Sequence, residues 1–226
     1  MVRMKKSIAF FISFITTIVF ISSISILFNP IFNKLSENKI KNIVLPIILS
    51  IGLMFFILFQ ASLKLKWNKK ILKQSEILVE LKGDNFTNLE KSWLYIFLVL
   101  IYFSPIVSNF SFKSITLNSV LPFVAFTVII SLLLKFSEKT ITIIFTKKGI
   151  LITGLDLRID ISLGQTIRNA TGYYPYNMIT GFLPLENSIE LFLEYEQGKI
   201  IAIPEGETKN QILGILKANK IEIRKF

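Results

Sequence analysis

Four stretches of the chain, residues 7–28, 43–63, 93–110 and 115–134, carry no charged side chain. At about 1.5 Å per residue they reach roughly 27–33 Å, which matches the ~30 Å hydrocarbon core of a bilayer. Hydrocarbon offers no partner to a backbone N–H or C=O, so each run must close its hydrogen bonds internally and form a helix. Four buried helices of a soluble protein are the competing reading, and so many runs before residue 137 weigh heavily against it. Charge divides at the same place. Fifteen basic and 5 acidic residues precede residue 137, a balance of +10, whereas 11 and 10 follow, a balance of +1. Seventeen of the 21 Phe also precede it. The expected organisation is a four-span helical domain at 1–136 and a soluble domain at 137–226. A nucleic-acid binder would instead carry its positive charge on the soluble part.

The chain contains no Cys and no His. Disulfides, thiolate or imidazole metal sites, cysteine nucleophiles and Ser-His-Asp triads are therefore excluded. No Walker A or GxGxxG pattern occurs either.

Arg3, Lys5 and Lys6, with Ser23-Ile24-Ser25 downstream, resemble a secretory signal. The apolar run outlasts a signal core of roughly 7–15 residues, and Ile26-Leu27-Phe28 extend it, so we read an uncleaved span. Placing the N-terminus, the loop 64–92 and the C-terminal domain in the cytoplasm puts ten Lys/Arg inside and four outside before residue 135. That is the bias the positive-inside rule favours, and Trp67 and Trp93 then share the inner interface. The expected location is the cell membrane, with both termini cytoplasmic.

Within the loop 64–92, Ile71, Leu72, Leu78, Val79 and Leu81 interleave with Lys69, Lys70, Lys73 and Glu76, up to Gly83-Asp84-Asn85. Either a basic amphipathic helix on the anionic leaflet or a solvated extension of the second span fits this spacing. Thr87-x-x-Glu90 has the form of a capping box opening the third run. No acid or base lies inside a span, which argues against an ion pathway of the chain's own. Ser13, Thr16, Thr17, Ser22, Ser23 and Ser25 suit hydrogen bonds to a neighbouring helix, and Pro105 and Pro122 suit kinks. Gly52 has no GxxxG partner.

From Thr140 the apolar period becomes two. Ile141, Ile143 and Phe145 alternate with threonines, and Lys147-Lys148-Gly149 turns the chain into Ile150-Leu151-Ile152. Leu155 to Leu163 alternate with Asp156, Arg158, Asp160 and Ser162, predicting a strand with one buried face. Tyr176–Phe182 reads as a strand, and Ile189–Tyr195 with Lys199–Ile203 as a hairpin turning at Gln197-Gly198. Thr208-x-x-Gln211 reads as a second capping box, opening a helix whose Gly214 would permit close approach to the sheet. Ile221 and Ile223 suit a short last strand. Even spacing puts Asp156, Asp160, Glu190 and Glu194 on the solvent face, where paired-carboxylate catalysis is not expected.

The Phe145–Ile150 hairpin, the Tyr176-Asn-Met-Ile179 strand, the hairpin at 189–203 and the Thr208–Ala218 helix together resemble a bacterial pleckstrin-homology-like domain. The resemblance covers about residues 138–226. It implies a partly open β-barrel or sandwich capped by a C-terminal helix, in a family often fused to membrane helices. Some members of that family resemble bacteriocin self-immunity proteins. It also implies a non-enzymatic protein with no cofactor, whose domain meets a protein partner or the anionic inner leaflet. Lys66, Lys69, Lys70, Lys73, Lys147 and Lys148 are the candidate contact residues, although Lys147 and Lys148 also read as a plain solvated turn. The alternative is an accessory or permease-like subunit working with a separate ABC-type ATPase.

Overall fold

The computed structural model describes residues 6–109, 117–159, 168–194 and 198–224. Helix α1 (Lys6–Phe32) continues through Ser23–Ser25 and Pro30. A short α2 (Glu37–Lys39) and a π turn at Ile40–Val44 lead into α3 (Leu45–Leu72). Helices α4 (Asn88–Asn109) and α5 (Leu117–Thr140) follow, with Pro122 inside α5. Among the described residues, Ile8–Phe32, Glu37–Leu72 and Ser119–Thr140 are long and apolar enough to cross a membrane. The run at 93–110 lies along α4, except for Phe110, which is outside the described residues. Phe11, Ile15, Ile26 and Leu27 on α1 are exposed, a surface that lipid would cover at far lower cost than water.

Helices α1 and α3 run antiparallel. Phe10 packs edge-on to Phe56, Phe20 stacks on Phe55 at 4.2 Å, and Gly52 faces Thr17 and Ile21. A Cβ on Gly52 would stand 2.5 Å from the Ile21 side chain, so this glycine lets the helices approach without a GxxxG motif. The hydroxyls of Thr16, Thr17, Ser23 and Ser25 donate to carbonyls four residues back, not to a neighbouring helix.

The β region forms two antiparallel sheets. The first has the order β1 (Ile77–Lys82), β2 (Thr142–Thr146), β3 (Gly149–Thr153), β4 (Gly172–Pro175). The second comprises β5 (Ile179–Pro184), β6 (Ile189–Leu193) and β7 (Lys199–Ala202). Helix α6 (Glu207–Ala218) buries Ile212 and Leu216, and a parallel bridge joins Ile223 to Phe182. Among the described residues the sheets do not close into a barrel.

Four local expectations change here. The segment expected as an amphipathic helix or as an extension of the second span divides: the second span does extend, with Ile71 and Leu72 ending α3, while Leu78, Val79 and Leu81 belong to β1, paired with β2. The sheet therefore takes its first strand from before α4. Tyr176–Met178 is a 3-10 turn, so the strand starts at Ile179. Gly206, with φ of 49°, is the N-cap of α6, Thr208 lies inside that helix, and Gly214 faces open space. Finally, no strand follows Thr153 as far as Ile159. Gly154, at φ of 140°, turns the chain so tightly over α5 that a Cβ would stand 2.5 Å from the Thr140 carbonyl oxygen. The rest of that expected strand, including Asp160, Ile161 and Leu163, lies outside the described residues, as do Tyr195 and Gln197.

Candidate functional site

Where the helices meet the sheets, the chain buries a charged network. The detour after Gly154 is held by α5: Ser137 Oγ donates to the Leu155 carbonyl at 2.6 Å, and Leu155 N–H donates to Thr140 Oγ1 at 2.9 Å. This delivers Asp156 and Arg158 to the interior, each 2% exposed. Arg158 Nε and Nη2 donate to the two Asp156 oxygens at 2.8 and 2.9 Å, a bidentate pair. Its Nη1 donates to Glu90 Oε1 at 3.0 Å and to the Arg168 carbonyl at 2.7 Å. Its guanidinium also lies 4.1 Å from the centre of the Phe86 ring.

Each partner of Arg158 is fixed in turn. Glu90 closes the capping box of α4, accepting from Thr87 N–H at 2.8 Å while Thr87 Oγ1 accepts from Glu90 N–H. Its other oxygen takes Arg158 and the Arg168 N–H at 2.9 Å. Asn169 adopts a positive φ of 48°, a conformation Asn tolerates. Its side chain pairs both ways with the Ile201 backbone, at 2.8 and 3.0 Å, and its carbonyl accepts from Arg158. Beside this network, Lys91 pairs with Glu138 at 2.7 Å, and Glu138 accepts from Phe86 N–H at 3.0 Å. One arginine thus joins the first turn of α4, the segment after β3 and the loop before β4.

Burial by itself would raise the Asp156 carboxyl. The charge and hydrogen bonds of Arg158, with the charge of buried Lys64 on α3, outweigh it and hold Asp156 well below the usual carboxylate range. Asp156 is therefore a fixed anion, and its expected place on a solvent face is incorrect. Alternation placed it there, but the turn at Gly154 ends the strand before the alternation applies. Glu190 is half-buried and pairs with Lys199 at 2.9 Å, bridging β6 and β7.

Of the six candidate lysines, four lie along α3 and its C-cap, and two in the β2–β3 turn. Lys66, Lys69, Lys70 and Lys73 are exposed, on a helix that runs unbroken to Leu72. The end of α3 packs on the first sheet: Ile71 packs on Ile144 and Leu151, Trp67 fills in beside them, and Asn68 Nδ2 donates to the Ile152 carbonyl at 3.1 Å. Trp67, expected in an interfacial belt, packs against protein. The hairpin turn carrying exposed Lys147 and Lys148 stands beside the start of β1, since Ile77 pairs with Thr146 and Lys147 N–H donates to the Glu76 carbonyl. The structure thus gathers Lys73, Lys147 and Lys148 at one end of the first sheet and leaves Lys66 nearer the bundle.

No family model matches the chain, and no curated protein or solved structure matches it.

The Arg158 network escaped sequence reading because its residues are spread from 64 to 171. The usable signal was Thr87-x-x-Glu90, a capping box whose glutamate keeps one oxygen for Arg158.

Proposed function

We propose that this chain is a non-enzymatic, multi-span protein of the cell membrane whose β region is a cytoplasmic binding module. The observation that carries this reading is the Asp156–Arg158–Glu90 junction. It commits the buried carboxylates to ion pairs and capping, and so withholds them from proton transfer. It also fastens the module to the helices, as a receptor surface presented at a fixed height would need. Three strands of the first sheet, three of the second and a C-terminal helix follow one another within 138–226, with β1 added from before α4, and this supports the pleckstrin-homology-like resemblance. Ten-to-four Lys/Arg asymmetry supports the cytoplasmic placement. Protection against membrane-active peptides is the role we favour, by analogy with relatives of the resembled family.

Deletion of the gene tests this reading. Deleted cells should become more sensitive to pore-forming peptides, with resistance restored by the full chain. Unchanged sensitivity together with a lost solute-uptake activity would overturn it in favour of the transporter-subunit reading. Reporter fusions after Lys41 and Lys113 should read external, and those after Gly83 and Phe226 internal.

A further inference from the structure

We propose that the membrane-distal end of the first sheet docks an acidic, partly apolar segment of another protein, and not the lipid surface. This rests on the reading above that the β region is a binding module. Two rulers place the surface. Measured from Leu63, where the apolar run ends, α3 carries Lys69 and Lys70 about 9–10 Å and Lys73 about 15 Å farther along its axis at 1.5 Å per residue. Helix α5 likewise continues six residues past Leu134 before β2 leads away to the Lys147-Lys148 turn. At roughly 3.3 Å per residue, β2 adds about 13 Å. The headgroup layer is only about 5–7 Å thick on each side. Counted along these axes, Lys66 falls within that distance of Leu63 and the other five lysines farther out.

The surface at that end is both cationic and apolar. Ile77 and Leu78, the first residues of β1, are 48% and 43% exposed beside the Lys147-Lys148 turn. Strand β1 is the edge of its sheet, bonded on one side only to β2. Among the described residues no carboxylate pairs with Lys69, Lys73 or Lys148. Lys70 lies 5.8 Å from the Trp67 ring centre. The acids nearest along the chain are Glu76, which reaches Lys147 at 3.5 Å, and Glu80 farther down β1. Lys73, Lys147 and Lys148 beside two exposed aliphatic side chains on an edge strand, with Lys69 and Lys70 about a turn back on α3, complement an extended segment with acidic residues alternating with Leu or Ile. The acids would answer the lysines, the aliphatic residues Ile77 and Leu78, and its backbone the edge of β1.

The test uses the full chain in nanodiscs of zwitterionic lipid, probed with a fluorescent peptide in which Glu alternates with Leu. Binding should be saturable, weaken as salt is raised, and fall by about tenfold or more in the Lys69→Glu/Lys73→Glu/Lys148→Glu variant. It should also fall in Leu78→Ser and stay unchanged in Lys34→Glu/Lys39→Glu, which alters basic residues between α1 and α3. Equal binding to the parent and the triple variant would overturn the proposal. In discs containing phosphatidylglycerol, an amine-reactive label should still modify Lys69, Lys73 and Lys148. Protection of these lysines by the anionic lipid would overturn the proposal in favour of leaflet contact. Failure in either arm, with the deletion phenotype intact, would remove this surface and leave the binding-module reading standing; loss of that phenotype is the separate failure of the reading itself.

Discussion

The junction and the distal end of the first sheet, at the Lys147-Lys148 turn, both concentrate charge, yet they use it in opposite ways. At the junction Asp156, Arg158 and Glu90 are removed from water, and Arg158 ties its own segment to the first turn of α4 and to the loop before β4. At the distal end Lys69, Lys70, Lys73, Lys147 and Lys148 remain exposed, with Glu76 as the acid within pairing distance of Lys147. Buried ions are costly to desolvate and strongly destabilising when one partner is lost, whereas exposed ions cost little and hold little. The first cluster belongs to architecture. The second suits a surface that meets something else.

Removing Arg158 should break this contrast most severely. Arg158→Ala leaves Asp156 and Glu90 buried without their cation, and should destabilise the chain by about 3–5 kcal/mol. Thermal melting in detergent, followed with limited proteolysis of the β region, should show the loss. A melt within a degree or two of the parent would mean that the junction is not what holds the module to the helices.

A pH series sharpens the same point with a smaller effect. Because the folded Asp156 carboxyl sits below its ordinary 3.8, its contribution to stability is complete above that value and is lost as pH falls toward the folded one. Stability should therefore decline below about pH 4, and Asp156→Asn, though less stable at neutral pH, should decline less steeply over that acid range. Tyr176 gives the mirror image. Burial, and then neighbouring Tyr173, push its hydroxyl from 10.0 up to about 12. Its contribution is thus complete below pH 10 and lost as pH rises toward 12. Tyr176→Phe should flatten that alkaline arm, at the cost of the 2.8 Å bond to the Thr146 carbonyl.

The smallest effect belongs to the distal end. Lys147 and Glu76 pair at 3.5 Å with most of both side chains in solvent, so Glu76→Gln should change stability by less than about 1 kcal/mol. A loss comparable to that of Arg158→Ala would show that the hairpin turn is structural and would remove the contrast.

The two candidate capping boxes show how far local pattern reaches. Thr87-x-x-Glu90 forms with both reciprocal bonds, because the chain arriving from Gly83 has only to start a helix there. Thr208-x-x-Gln211 has the same form and does not cap, because Gly206 has already turned the backbone and α6 starts two residues earlier than that box requires. The second loop makes the same point for strands. Ile77–Lys82 has no fixed preference in isolation, and pairing with β2 decides that it is extended.

By itself the sequence determined what depends on neighbours along the chain: three apolar helices long enough for a membrane, the β2–β3 hairpin, the β6–β7 pair and the C-terminal helix. Hydropathy and period are local quantities, and they survive whatever else the chain does. Tertiary structure alone decided that α3 would cross a sheet as well as lie among helices, that β1 would come from before α4, and that Asp156 would be interior. The reason is common to all three. The burial of Ile71 and Val79 depends on residues 144–151, and that of Asp156 on Lys64 and Thr171, so their environment is set by a fold that brings distant segments together and not by their own spacing.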